Sequence, residues 1–405
     1  MAVVYYPIIK KVEGGGSGGG ASFNIHYGLN PPEDTSMLWV ETEREPSGIT
    51  FGNKLFADGV SLIDTAEVTA IQYCASAVVG TKIYYLGGTT NKYVNTIHVY
   101  DTTTSGFETL TVGLPANVGD ASAVAIGTKI YLFGGRKSSS SYNTNIYVFD
   151  TEQETVSTLG VTLPSKKYYM GITAYGTKIY LFGGFNGTSC EDVVWSFDTT
   201  TNEFNTLTDV LTSKCSSIAV ANVGTKAYLF GGSTSGSNSS GLNHIHVFNF
   251  ETERLDKISV TLPGPLCLIG ATSVGTKIYL FGGGLRTTSS EGRYARVFDT
   301  ETLEFTNIYD FGEAGVYGLC ADAVDGKIYL YAGNRTTIGL FAIEASDLEY
   351  NKAYALISTY KNVFRLIGGN TSLDIGVVNV NIGNENNKAQ KVTAYLYNGT
   401  KWEEI

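Results

Sequence analysis

Four histidines are the first residues to test for chemistry: His26, His98, His244 and His246. His244 and His246 share one face of a predicted strand, a spacing open to a metal ion. No third histidine lies near them in sequence, and His98 holds the place of His246 in another copy of the repeat described below, so neither a metal nor another cofactor is expected. Asp322 falls on a predicted inner strand where other copies carry Ala, Val or Thr, and burial would raise its pKa. A single carboxylate reads as a hydrated channel residue, because glycoside hydrolysis ordinarily uses two placed acids. The GxSxG, HExxH and P-loop patterns do not occur, and the chain is expected to be noncatalytic. Its five cysteines, Cys74, Cys190, Cys215, Cys267 and Cys320, are odd in number and lack CxxC spacing. Four fall in equivalent early-strand stretches, where Cys acts as a small hydrophobe. Free thiols point to synthesis in a reducing cytoplasm.

The richer candidates are for binding. Long, variable loops carry Lys92, Tyr93, Arg136, Lys137, Tyr142, Phe185, Arg286, Arg293, Tyr294 and Arg335, and the connections between repeats add Tyr168 and Tyr169 beside Lys166 and Lys167. Aromatic rings can stack on sugar faces while guanidinium, amide and hydroxyl groups bond hydroxyls or anionic substituents. Loops are also polar simply because they are loops, so this face is a candidate site as a whole more than residue by residue.

What positions these residues is a repeat. "GTKIYLFGG" and its variants begin at Gly80, Gly127, Gly176, Gly224, Gly275 and Asp325, at intervals of 47 to 51 residues. Each copy reads as four short strands: a small, apolar run; the strand after "GTK", ending in Gly-Gly; a strand closing on an aromatic and an acid ("IYVFD", "VWSFD"); and an outer strand such as "FETLTV". Counting back five from the first residue of each turn gives Ala75, Ser122, Gly171, Ala219, Gly270 and Cys320. All are small, as strands converging on a common axis require. Such a period and such units predict an all-β propeller of six blades over residues 56–350. "VSLIDT" at 60–65 is expected to close the ring as the outer strand of the sixth blade and so remove an exposed edge. The repeated Lys of the "GTK" turns and the Asp of "VFD" read as recurring surface ion pairs on the opposite face, each worth about 0–1 kcal/mol.

The double glycine, the GTK-type turn and the period resemble the kelch-type propeller family. The family's usual fourth-strand Trp is replaced here by Phe, Val or Leu, which marks a divergent member. Outside the repeats lie a short N-terminal segment (1–13), a Gly-rich linker (14–21), an N-terminal β segment (22–55) and a C-terminal β module (351–405). "GLNPPEDTSMLWV", "GNENNKAQKV" and "YLYNGTKW" resemble segments of tail and fibre proteins of phages and prophages of Gram-positive bacteria. That resemblance implies a virion protein, attached to other tail proteins through its N-terminal segment and binding a host cell-surface receptor, a glycan or a protein. It also implies a homo-oligomer, for fibres commonly a trimer. A carbohydrate-active enzyme on the same ring and a ligand-free decoration protein are the alternatives.

Composition bounds these readings. With 405 residues, 43% hydrophobic, the chain can bury a large core, and 48 Gly with 27 Tyr suit turns and strands. A net charge of −10 argues against nonspecific nucleic-acid or anionic-membrane binding. No apolar run is long enough to span a membrane, and the N-terminus does not read as a secretory signal.

Overall fold

The computed structural model describes residues 71–284, 290–310, 316–331 and 340–344, together with short strands elsewhere in the chain. The chain divides into two compact units, Leu62–Ile343 and a second formed by Met1–Ser61 with Glu344–Ile405. In the second unit, Ile25–Tyr27, Leu38–Glu41, Thr393–Tyr397 and Trp402–Glu404 form one four-stranded sheet, so segments from both ends of the chain share it. The Gly-rich stretch 14–21 lies outside the described residues.

Six four-stranded antiparallel sheets make up the propeller. Their innermost strands are Ala75–Val79, Ser122–Ile126, Gly171–Tyr175, Ala219–Val223, Gly270–Val274 and Cys320–Val324. Each packs against the innermost strand of the next blade, and the sixth packs against the first. The outer place in the sixth sheet is held by Val60–Ile63, next to Leu340–Glu344. The small first residues of the inner strands have a direct steric reason. A Cβ at Gly171 would stand 2.9 Å from Val220 of the following blade, and one at Gly270 would stand 3.2 Å from Ala321. Between blades, the second and third strands of each sheet bury their aromatic and aliphatic side chains, as in Ile130, Leu132, Tyr147 and Phe149.

The double glycine forms a seat for the next connection. Gly135 N–H donates to the Lys167 carbonyl at 2.9 Å, and a Cβ on Gly134 would collide with that same oxygen. The pattern repeats with Gly88 and Val118, Gly184 and Cys215, Gly232 and Leu266, and Gly283 and Val316, at 2.7–2.9 Å. Both glycines have positive φ, 66° and 92° at Gly134 and Gly135, a region that glycine enters without a Cβ penalty.

On the opposite face the "VFD" acids do different work from the ion pairs expected. Register sets Lys82 opposite Asp101 and Lys178 opposite Asp198. Yet Asp101 Oδ1 accepts from Thr103 N and Oγ1 at 2.9 and 2.6 Å, and Asp198 bonds Thr200 in the same way. The Thr103 bonds come first in holding the Asp101 carboxyl below its ordinary range, and Lys82 contributes least. Lys178 pairs with Glu253 of the next blade at 2.7 Å. These acids therefore cap the hairpin between third and fourth strands.

Asp322 lies at the joint between the sixth and first blades. Ser76 of blade one donates to its Oδ1 at 3.1 Å, and Oδ2 is buried without a partner. Tyr85 and Cys320 lie close enough for its charge to act on them. Burial pushes the Asp322 carboxyl up to about 7, with the Ser76 bond opposing.

Two outcomes follow. Gly134→Ala and Gly127→Ala both place Ala at positive φ, but only Gly134 has an oxygen in the way, Gly127 having nothing within 4 Å. Urea denaturation should show a loss of about 1 kcal/mol for Gly127→Ala and more than about 3 kcal/mol for Gly134→Ala; equal losses would remove the seat from the account. For Asp322, the folded protein holds a proton between pH 3.8 and about 7 that the unfolded chain has released. Stability therefore falls as pH rises through that window and levels off above it. Asp322→Asn, which keeps an acceptor for Ser76, should stabilise the protein by about 2–4 kcal/mol at pH near 8. That gain should shrink as pH falls toward about 4, and a gain independent of pH would place its origin elsewhere.

Candidate functional site

Three consecutive residues of each inter-blade connection have repeated roles. In Lys167-Tyr168-Tyr169, the first carbonyl seats on Gly135 of the preceding blade, and the second residue bridges to Phe185 at its own blade's exit. The third turns into the left-handed region with φ 56°. Equivalent third residues are Tyr73, Asp120, Ser217, Leu268 and Gly318, with φ between 53° and 70°. Five backbone bonds join them in sequence. Asp120 N–H donates to Tyr73 O, Tyr169 to Asp120, Ser217 to Tyr169, Leu268 to Ser217 and Gly318 to Leu268, at 2.7–3.3 Å.

These six residues, one per blade, surround a cavity of about 150 Å³, together with Cys74, Ser122, Met170 and the apolar side chains that follow. The ring is asymmetric. Tyr73, Asp120 and Tyr169 occupy one half, with the two tyrosine rings edge-on at 6.2 Å. The other half carries Ser217, Leu268 and Gly318, which leaves it less obstructed.

Asp120 is the electrostatic centre of the mouth, its side chain 1% exposed. Its Oδ2 accepts from Arg136 Nε and pairs with the other guanidinium nitrogen, both at 2.7 Å, and accepts from Tyr93 Oη at 3.4 Å. Its Oδ1 is sealed from solvent and accepts no hydrogen bond of good geometry, while the Tyr169 hydroxyl lies close enough to the carboxylate to interact with it. Burial, and after it the Asp120 charge, push the Tyr169 and Tyr93 hydroxyls up, so both phenols stay protonated at neutral pH. Arg136 also stacks on Tyr168 at 4.7 Å and lies within 6 Å of Tyr93 and Tyr169.

The sequence candidates fall into distinct places around this centre. Tyr93, Arg136, Tyr168 and Tyr169 converge on Asp120. Tyr142 stacks on Tyr168 at 5.8 Å, with the Lys166 ammonium 4.6 Å above its ring. Tyr93, Tyr142 and Phe185 also lie over Gly119, Gly187 and Gly236, glycines of the following connection or loop, and so brace neighbouring blades. Lys92 is exposed and Lys137 half-buried at the rim. Arg293, which ends the short 3-10 turn Ser290–Arg293, and Tyr294, which follows it, sit apart in blade five, with the guanidinium 4.8 Å over the Tyr294 ring. Arg286 and Arg335 lie outside the described residues.

Lys167 is not a surface cation: its ammonium is 1% exposed, ion-paired to Glu191 at 2.6 Å and 3.7 Å over Trp195. Burial pulls its pKa down against that pairing. Two of the histidines are likewise engaged. His98 bonds Thr96 and Thr109, and His246 bonds Thr212, with burial lowering the His246 imidazole to about 4. No group of three metal-ligating side chains occurs among the described residues.

Sequence reasoning named Tyr169 of this column but missed Tyr73, Asp120, Ser217, Leu268 and Gly318. The signal available was positional, two residues before each inner strand, but a column of Tyr, Asp, Tyr, Ser, Leu and Gly has no shared chemistry to mark it. Arg136→Ala would strand the Asp120 charge in the interior. The expected loss is about 3–5 kcal/mol of unfolding free energy, and Arg136→Ala/Asp120→Ala should lose less than the single variant. Thermal and urea denaturation of the three proteins checks the pair, and additive losses would dissolve it.

Among proteins of known sequence families, residues 73–216 match the KLHDC2/KLHL20/DRC7 Kelch-repeats domain. That span covers blades one to three and ends at the connection into the fourth. The search of curated proteins found no match. Repeat, seat and ring together establish an all-β, six-bladed β-propeller built from kelch repeats.

Proposed function

We propose that this propeller is a noncatalytic recognition module whose ligand inserts one group into the axial mouth on the long-loop face. A kelch propeller is in kind a binding module, and the observation that carries the placement is Asp120, a buried carboxylate among the residues that line the axial cavity, ringed by Arg136, Tyr93 and Tyr169. A ligand hydroxyl or amide N–H that reached this carboxylate would make a charge-assisted hydrogen bond, about twice as strong as a neutral one. The cavity, about 150 Å³, is well under the ~300 Å³ or more of sites that enclose a whole drug-sized ligand. The ligand is therefore larger than the mouth and presents a single residue or sugar edge to it.

The finer reading is a phage or phage-tail-like particle protein whose propeller recognises a host cell-surface receptor, a glycan in first place. Its support is the resemblance of the flanking segments to tail and fibre proteins and the chemistry of the mouth. A sugar ring can lie on Tyr73 or Tyr169 while a hydroxyl donates to Asp120, and Lys92, Lys137 and Lys166 at the rim suit anionic substituents. The N-terminal segment would attach to the particle, and several copies would raise a weak single-site affinity through avidity.

The test is binding of the labelled full-length protein to intact cells and purified cell-wall polysaccharide from a panel of Gram-positive bacteria. Tyr73→Ala in the mouth should weaken binding at least about tenfold, the weight of one stacking residue. Lys129→Ala, on the opposite face, should leave it unchanged. Binding that survives Tyr73→Ala would move the site off the axis, and no binding across the panel would favour a decoration role.

A further inference from the structure

The cavity described above also reaches a thiol. Cys74 contributes to its wall and is half-buried. Its Sγ lies 3.5 Å from the Sγ of Cys320, which is buried as the first residue of the sixth inner strand. The two cysteines are 246 residues apart in sequence and meet only because the ring closes. The remaining thiols differ. Cys190 donates to Ser233 O at 3.4 Å and Cys267 to Gly284 O at 3.1 Å, and both, with Cys215, are sealed in the blades.

We infer that Cys74 and Cys320 form a dithiol site, open to small disulfide oxidants through the axial mouth, whose oxidation links the first and last blades covalently. In the first step Cys74 Sγ, as the thiolate, attacks one sulfur of a dialkyl disulfide, RSSR. The S–S bond of the reagent breaks, one RS⁻ leaves, and a mixed disulfide forms on Cys74. Cys320 Sγ then attacks Cys74 Sγ, expelling the second RS⁻. In balance, two protein thiols give up two electrons and two protons, and RSSR becomes two RSH.

The order of attack follows from the surroundings. Cys74 borders the cavity, whereas Cys320 is enclosed and its thiol is pushed up by the neighbouring Cys74 sulfur and by burial, with the Asp322 charge adding to it. Exposure decides which sulfur the reagent reaches first, and it selects Cys74. The contact itself must shorten from 3.5 Å to bonding distance. That shift falls at a joint which has both a small inner residue, Ala75, and the cavity beside it. The consequence is compartment-dependent: a dithiol where the surroundings are reducing, and a ring closed by a covalent bond where they are oxidising.

The experiment uses the full-length folded protein and 2-hydroxyethyl disulfide, a probe small enough for the mouth. Peptide mapping without reductant should recover Cys74 joined to Cys320, with the mass lower by two hydrogens and two of the five thiols no longer alkylable. Thermal unfolding of the oxidised protein should shift up by several degrees and return with reductant. Cys320→Ser should trap the mixed disulfide on Cys74, while Cys74→Ser should leave Cys320 unmodified under the same exposure. A different crosslinked pair, a wild-type protein that stops at the mixed disulfide, or one that does not react at all would each overturn the site.

Discussion

The contact on which the rest of this molecule depends is the seating of one carbonyl on a double glycine in each of the first five blades. Because Gly88, Gly135, Gly184, Gly232 and Gly283 each hold the carbonyl that begins the next connection, the path of that connection is fixed before its side chains matter. The next residue must bridge to its own blade, and the one after it must turn left-handed to enter the inner strand. The axial mouth is thus a by-product of how blades are joined. Its backbone is the same six times over, while its side chains are free to differ.

That separation explains what could be read in the sequence. Spacing of 47 to 51 residues, a Gly-Gly exit and a column of small residues all arise from backbone constraints that recur, and they revealed the propeller, its blade number and its two faces. The column of Tyr73, Asp120, Tyr169, Ser217, Leu268 and Gly318 has an equally strict backbone constraint, but it left no chemical trace. In five of its six places a residue with a side chain tolerates positive φ. Arg136 illustrates a second limit. As a loop arginine it read as a candidate ligand contact, yet its partner lies 16 residues earlier, in the connection that enters its own blade. Lys167 shows the same effect, because the adjacent Lys166 is exposed and nothing local distinguishes the two. The "VFD" acids were legible as a pattern and misread as to cause, since an Asp opposite a Lys in register is equally well placed to cap its own turn.

Energetics concentrate on the axis. A left-handed non-glycine residue is unfavourable by about 1–2 kcal/mol, and five of them encircle the mouth. The backbone bonds between them, at about 1 kcal/mol each, offset part of that strain and tie the six connections into one unit. The strain is therefore shared by the ring and is not confined to one blade. A group that enters the mouth meets a wall already ordered, so binding there loses little further entropy.

The asymmetry of this wall carries the functional argument further than the fold does. Stability alone would be served by an apolar residue at position 120, because a buried ion pair is often no better than well-packed hydrophobic side chains of the same volume. Instead the chain buries a carboxylate and satisfies one of its oxygens with Arg136 and Tyr93. It then flanks the carboxylate with two tyrosines whose hydroxyls remain protonated, and faces it with Ser217, Leu268 and Gly318, which leave room. Structural need accounts for the paired oxygen and for the glycine. It does not account for a buried carboxylate among the residues lining a cavity, and that charge is the feature the proposed recognition would draw on.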